Sequence, residues 1–345
     1  MDAERQGGKR PLIALAMGDP AGISPELAAR LVASERVRDA ARLAVIGDRR
    51  VLEAGAAVAG LAAAVREIAV EEIGNAETGP AMIDLGNLDP ADITPGEASL
   101  AGGRFAVENF SLALQLAEAG RVDGVCYTPF NKKAMRHAHP GYDDESRFIT
   151  ELLDLDDGGV REFNVLEQIW NARVTSHIPL KDVSAALSEE VILREIARTE
   201  TCLRLAGIEQ PRMLVAGLNP HAGDGGSFGM EEIDIIGPAV ATAKARGHDV
   251  DGPFPADTVF VKALKEGHHA VLTMYHDQGQ IAMKLMGFDR GVTMLGGLAF
   301  PVCTPAHGTA YDIAGQGIAS PLAAEEAVLL AARMAAPAAT ERKPQ

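Results

Sequence analysis

The stretch "LTMYHDQGQIAMKLMGFDRG", residues 272–291, decides how the chain is read. It continues an apolar run, Ala270 to Met274, with the length and composition of a buried strand. The run breaks at Tyr275-His276-Asp277-Gln278-Gly279, and a second apolar pattern carrying Lys284 follows. Strands of open α/β sheets place ligands at their carboxyl ends. A histidine and an aspartate at such an end are either a site or only a turn.

The same unit recurs toward the N-terminus. "PLIALAMGDPAGISPELAARLVA" opens with a strand, Leu12 to Met17, followed by a Gly/Pro-rich loop and a helix with Pro25 near its first turn. Strands follow at 42–48 and 81–86, with an Ala-rich helix over 51–65 between them. Residues 94–120 read as a loop and a long amphipathic helix, and "VDGVCYTPF" as a buried strand running into Asn131 and Lys132. This alternation predicts a doubly wound α/β layer. From about residue 140 the texture becomes acidic and loop-rich. Residues 162–180 then read as two strands with a turn near Asn171, followed by a helix over 189–207 and the strand "RMLVAGL". The C-terminal segment 320–336 is a helix, with a frayed tail from Pro337. No internal repeat or low-complexity linker is present.

A chain of 345 residues with 47 % hydrophobic residues and a mean hydropathy of +0.04 has enough apolar side chains for a sizeable core. The formal charge is −16 with no basic patch, which speaks against nucleic acid as a partner. Cys126, Cys202 and Cys303 are odd in number and far apart, forming neither a disulfide framework nor a metal pair. The polar start "MDAERQGGKR" lacks the apolar core of a signal peptide, and no uncharged run approaches the roughly 18 residues of a membrane span. The expectation is a cytoplasmic protein with no membrane partner.

Three strands end alike: "RVTSHIPL" with His177, "VAGLNPHAGDGG" with His221 and "LTMYHDQG" with His276. In a parallel layer such ends gather at one edge, where three imidazoles could hold a divalent metal and leave positions open for substrate oxygens. The competing reading is that each histidine caps a turn or packs in a core. The remaining histidines lack the pattern, although His307-Gly308 lies in another Gly/Pro-rich turn. The run "HAGDGGSFG" could lie against a cofactor phosphate through Gly223, Gly225 and Gly226. "GDPAGIS" matches neither a G-x-G-x-x-G nor a Walker sequence.

The segments "GDPAGISPEL", "SHIPL", "GLNPHAGDGG", "GPFPADTVF", "MYHDQG" and "HGTAYDIAGQG" resemble, in order and approximate spacing, the 4-hydroxythreonine-4-phosphate dehydrogenase family, over residues 12 to about 335. The resemblance implies a two-domain α/β/α fold like that of isocitrate and isopropylmalate dehydrogenases. The first domain would comprise 1–139 plus 315–345 and the second 140–314, with the active site in the cleft between them. It implies an oxidoreductase acting on CH–OH, with NAD or NADP as acceptor and a divalent metal (Zn, Mg, Mn or Co) on His177, His221 and His276. Asp277 and Asp257 would orient ligands or relay a proton, and Lys284 would meet the substrate or transfer a proton. It also implies a homodimer that completes the site.

Departures from the family pattern bear on the substrate. Where the family has a His-Thr pair that holds the substrate phosphate, this chain has Gly141-Tyr142-Asp143-Asp144-Glu145. An asparagine becomes Thr293, and an arginine becomes Val302. Three acidic residues and a lost guanidinium would disfavour a dianion. "GY" at 141–142 and "GG" at 296–297 also look similar to the terephthalate dihydrodiol dehydrogenase branch. The expectation is therefore an unphosphorylated hydroxy acid or cis-dihydrodiol, oxidised with decarboxylation and contacted by Tyr142, Asp143, Lys284 and Thr293. Asp143 or Asp144 could also give the metal a carboxylate. The alternatives are the phosphorylated substrate of pyridoxal phosphate biosynthesis and a non-catalytic metal-binding or regulatory homologue.

Overall fold

The structure, a computed structural model, describes residues 10–75, 79–156 and 159–341. The chain divides into two compact units, 1–161 with 292–345 and 162–291. In the first unit the chain runs β1 (Leu12–Ala16), α1 (Ser24–Ala33), α2 (Glu35–Ala40), β2 (Arg42–Gly47), α3 (Arg49–Ala59), β3 (Arg66–Glu67), β4 (Ala81–Asp84), α4 (Leu100–Glu118), β5 (Gly124–Tyr127), α5 (Lys132–Ala138) and α6 (Glu145–Leu152). Its strands lie in the order β3-β4-β2-β1-β5, all parallel. β1 is buried at every position, because helices cover both faces of a parallel sheet. Phe110, Tyr127, Phe130 and Phe148 stack together in the core, with Phe110 and Tyr127 ring centres 4.7 Å apart.

The second unit runs β6 (Arg161–Leu166), β7 (Ile169–Arg173), α7 (Val183–Ala186), α8 (Glu189–Leu205), β8 (Met213–Ala216), α9 (Gly237–Ala245), β9 (Val250–Phe254), α10 (Ala256–Glu266), β10 (Ala270–Thr273) and α11 (His276–Gly287). Its strand order is β6-β7-β10-β8-β9, parallel except for the β6–β7 hairpin. The chain then returns to the first unit as β11 (Val292–Gly296), β12 (Val302–Pro305) and α12 (Leu322–Glu341). β12 lies parallel to β5 and antiparallel to β11.

Three expectations shift. The hairpin turn falls at Glu167-Gln168, and Asn171 is a fully buried residue inside β7. Its amide nitrogen donates to the carbonyls of Ala172 (3.0 Å) and Val271 (3.2 Å) and to Thr273 Oγ1 (3.1 Å), so the donor half of a turn-forming residue is satisfied within the sheet, while its Oδ1 has no partner among the described residues. The unit boundaries fall at 161/162 and 291/292, not at 139/140 and 314/315. Tyr142, Phe148, Ile149 and Val160 belong to the first unit's core, and β12 pairs with β5. Finally, helical backbone continues past Pro337 to Glu341, while 342–345 lie outside the described residues. Among the described residues, no helix is long and apolar enough to cross a membrane.

Asp48 shows how local sequence secures an element. It caps α3, accepting from Arg50 N (2.9 Å), and also accepts from Leu88 N (3.0 Å) while pairing with the Arg50 guanidinium (2.8 Å). Burial pushes its pKa up, but Arg50 and the two amides outweigh that and hold it below the usual carboxylate value. The stabilisation is therefore present above 3.8 and is lost as pH falls through the lower folded value. Asp48→Asn keeps a capping oxygen but sets an amide donor against Leu88 N or the Arg50 guanidinium, and should cost about 1 kcal/mol at neutral pH. In urea titrations, that deficit should shrink once the pH is below 3.8. A deficit that stays constant into acid would remove the charge from the account.

Candidate active site

The three strands that end in histidine motifs are neighbours, in the order β7-β10-β8 and mutually parallel, so their carboxyl ends share one edge of the second unit. The chain beyond β7 is laced to the chain beyond β10. Val174 N donates to Thr273 O (2.8 Å), and Thr175 donates to Met274 O through its amide (3.1 Å) and its hydroxyl (2.7 Å). This lacing brings His177 and His276 together, with ring centres 5.7 Å apart at 42°. Gln278 extends the lacing to the third strand, accepting from Met274 N (2.7 Å) and donating to Gly217 O (2.7 Å).

His276 opens α11, and its Nδ1 lies 2.7 Å from Asp277 Oδ1. A carboxylate on Nδ1 fixes the ring and leaves Nε2 for a ligand, a common arrangement behind metal-bound histidine. Imidazole rings sharing one ion stand roughly 5 Å apart, given metal–nitrogen distances of about 2.1 Å. The His177–His276 pair therefore fits as half of a divalent metal site. His221 does not join them as a third ligand: among the described residues, no three His, Cys, Asp or Glu side chains gather in a way that could hold an ion. The ring of His221 instead lies 6.2 Å from that of Phe228, on an exposed loop.

That loop is conformationally unusual. His221, Ala222, Gly223, Asp224, Gly225 and Gly226 all have positive φ, a run of six successive residues. Gly223 is buried, and a Cβ there would meet Glu232 Oε2 at 2.8 Å. Gly223 thus faces the protein, whereas Gly225 has nothing within 4 Å of its Cβ position. Lys284 and Asp257 are exposed, the first on α11 and the second in the first turn of α10. Lys284 stands about 12 Å along the axis from His276, at a position suited to a different part of a substrate.

The residues expected to contact substrate from the first unit are placed differently from one another. Tyr142 is 2 % exposed, packed with Phe148 (ring centres 5.9 Å apart). Burial and the neighbouring Glu145 push its pKa up. Val302 is fully buried in the same core, paired with Leu295 and Val125. Both side chains are buried, the Tyr142 ring in the aromatic cluster with its hydroxyl toward Glu145. Asp143 pairs with Arg147 (3.0 Å), Asp144 caps α6 by accepting from Arg147 N (2.9 Å), and Glu151 also pairs with Arg147 (2.8 Å). One guanidinium offsets only one of these charges, so the segment, which also holds Glu145, stays acidic. Thr293, opposite Thr304 in β12, remains partly exposed.

One feature of the first unit escaped the sequence reading. The "GDPAGIS" loop is bound to the "HGTAYDIAGQG" segment: Ile23 N donates to Thr309 O (3.0 Å), and the Tyr311 hydroxyl donates to Asp19 Oδ2. Burial raises the pKa of both Asp19 and Tyr311, and burial lowers that of His307 in the same segment. Beside this junction lies an apolar cleft of about 170 Å³, walled by Pro20, Pro25, Val51, Ile93 and Gly315. Glu26 also lines it. Its Oε1 accepts from Arg30 and Ala319 N, while its buried Oε2 has no hydrogen-bond partner among the described residues. Only the glycine and proline content of the two motifs signalled this in the sequence.

Residues 39–331 match the model of the pyridoxal phosphate biosynthetic protein PdxA. The chain belongs to the PdxA family. A relative from Rhizobium meliloti, provisionally named 4-hydroxythreonine-4-phosphate dehydrogenase 2, is 66 % identical over 328 residues, 95 % of this chain and 94 % of that one. One from Halalkalibacterium halodurans, provisionally named a D-threonate 4-phosphate dehydrogenase, is 36 % identical over 95 % and 98 % of the two chains. The crystal structure of 4-hydroxythreonine-4-phosphate dehydrogenase from Klebsiella pneumoniae superposes with a TM-score of 0.82, at 34 % identity over 96 % and 99 %. The terephthalate 1,2-cis-dihydrodiol dehydrogenase of Burkholderia xenovorans gives a lower 0.64, at 28 % identity over 90 % and 94 %. The PdxA fold and the general kind of activity, an oxidoreductase acting on CH–OH, stand as expected from the sequence. The preference for an unphosphorylated dihydrodiol does not, since the PdxA relatives named for phosphorylated substrates match at higher identity.

Proposed function

We propose that this PdxA-family chain oxidises the secondary alcohol of a small hydroxy acid carrying a phosphate ester, with NAD as hydride acceptor and a divalent metal at the histidine edge. The observation that carries the reading is the 66 % identity, over nearly the whole of both chains, to a relative named for such a substrate.

The metal, when bound, would polarise the substrate C–O bond and stabilise the alkoxide that expels hydride. His177 and His276 would hold it, with Asp277 fixing the His276 ring. Lys284 would meet an anionic group of the substrate, and Asp257 would relay the alcohol proton. The apolar cleft of the first unit suits one ring system of the dinucleotide better than Gly223 does. Its walls are largely apolar, as a bound ring system requires. Residues Leu180, Phe228, Val261, Ile281 and Leu285 leave large apolar surface on the second unit, Leu285 being 84 % exposed. A second copy of the chain covering that surface is part of the proposal.

The test is NADH formation by metal-loaded protein with 4-phosphohydroxy-L-threonine, D-threonate 4-phosphate and their unphosphorylated counterparts, with carbon dioxide release followed alongside. A phosphorylated compound should exceed its counterpart by roughly a hundredfold or more in kcat/KM. Equal or better turnover of the unphosphorylated acids would overturn the reading.

A further inference from the structure

Four stretches of chain wall the apolar cleft of the first unit: residues 20–22, the side of α3 that carries Ala54, the segment with Ile93 and Pro95, and residues 314–315. Their hydrogen bonds converge on the junction of Asp19 with Tyr311. Asp19 is 1 % exposed. Its Oδ1 accepts from Ala21 N (2.9 Å) and its carbonyl from Gly22 N (3.3 Å), which folds the 20–22 wall around it. Its Oδ2 accepts from the Tyr311 hydroxyl. Ala21 O in turn accepts from Gly96 N (2.8 Å), joining the third wall to the first. A Cβ at Gly96 would lie 3.6 Å from Tyr311 O, so the third wall also rests on the Tyr311 backbone. Tyr311 itself is not among the residues that line the cleft.

The stretch that presents 314–315 follows directly on a strained residue. Ala310 has φ 42° and ψ 60°, a left-handed conformation that is unfavourable for any residue with a Cβ. Such backbone persists only where its surroundings over-determine it. Here the anchors lie on either side. Before Ala310, Thr309 O accepts from Ile23 N (3.0 Å); after it, the phenol reaches Asp19. From Tyr311 a single 3₁₀ turn, Tyr311–Ile313, leads straight into Ala314. On the far side Arg30 Nη2 donates to Gly317 O (2.7 Å). The Tyr311 hydroxyl is thus the near anchor of the 314–315 wall, and its partner shapes the opposite wall.

We propose that Tyr311 is a positioning residue for the dinucleotide: its hydroxyl, held by the Asp19 carboxylate, sets the spacing between the 20–22 and 314–315 walls to that of a flat ring. This rests on the reading of the cleft as the seat of one ring system of the dinucleotide. Phenylalanine in its place keeps the aromatic ring but releases the segment, and the cleft loses its fixed width. A bound ring must then order the segment itself, and that cost appears in affinity. The histidine edge belongs to the second unit and keeps its own contacts.

The test is calorimetric titration of NAD into the wild type, Y311F and A54L, with steady-state kinetics on the better of the two phosphorylated acids. Ala54 is an exposed residue of α3 on the cleft wall, and leucine there fills the cleft while every group of the junction remains. Y311F should weaken NAD binding and raise KM for NAD by about tenfold, with kcat within twofold of wild type. A54L should weaken NAD binding at least as much. Amide exchange over 313–316 should quicken in Y311F while β1 and β5 keep wild-type protection. Wild-type NAD affinity in Y311F, with A54L weakened, would overturn the positioning role alone, as would a loss in Y311F that falls on kcat and not on KM. Wild-type affinity in A54L would overturn the cleft reading and the positioning role together. If Y311F does not fold, D19N takes its place: it keeps an oxygen for Ala21 N but makes the bond to Tyr311 a neutral one. D19N should weaken NAD binding about threefold or more, and unchanged affinity there would overturn the role equally.

Discussion

Replacing His276 with alanine should lower kcat/KM by roughly three orders of magnitude while leaving the fold intact. The size follows from what the side chain does. Removing a single preorganised group that stabilises developing charge costs about 10²–10³ in rate, and a lost ligand also weakens hold on the ion itself. Stability should move little. The ring is 36 % exposed and touches only the neighbouring His177 ring and Asp277 among the described residues, so the change falls among surface substitutions worth about 0.5 kcal/mol. Asp277→Asn is the graded companion: it keeps the ring but weakens its orientation, and should cost about ten- to a hundredfold. Kinetics with saturating metal beside a thermal melt would separate the two quantities. A loss below tenfold in the alanine variant would remove His276 from the chemistry.

Gly279→Ala sets two effects of opposite sign against each other. Alanine is the better helix former by about 1 kcal/mol, and position 279 lies inside α11. Its Cβ, however, would lie 2.1 Å from Asn171 Oδ1 and 2.5 Å from Asn171 Cγ. Asn171 cannot retreat, because its amide is held by two strand carbonyls and Thr273 at the centre of the sheet. Either those hydrogen bonds break in a dry interior, or α11 lifts away and carries His276 with it. Overpacking of this order costs about 1–3 kcal/mol, and loss of buried hydrogen bonds adds about 1–3 more, so sterics win. Urea unfolding should show a net destabilisation of roughly 2–4 kcal/mol. Combining it with Asn171→Ala should recover part of that loss. A stabilised single variant would mean that α11 shifts at little cost.

What could be read in the sequence was what periodicity and punctuation encode. The strands ending at His177, His221 and His276 could be recognised as equivalent because each is an apolar run stopped by Pro or Gly, and they do lie side by side. Asn171 misled because a turn residue looks the same whether its amide is satisfied by a turn or by a neighbouring strand. The burial of Tyr142 and Val302 could not be read, because alignment to a motif carries no information on it; both side chains lie in the core. Glu232 was invisible for a different reason. Its partners are backbone amides 13 and 14 residues earlier, and no spacing rule marks a carboxylate that supports a left-handed turn. The junction of Asp19 with Tyr311, 292 residues apart, is likewise a product of tertiary folding.

The second unit is spliced into the first as an uninterrupted segment, and this sets an order of events during synthesis. Residues 162–291 leave the ribosome as a complete set of strands and helices, whereas the first unit still waits for β12 to lie beside β5 and for α12 to cover them. The histidine edge can therefore form while the half of the protein that was translated first is still unfinished. A nascent chain stalled before residue 292 would carry the complete set of second-unit strands while the β5 edge of the first unit's sheet stands bare. That is a state in which a chaperone would have something to hold.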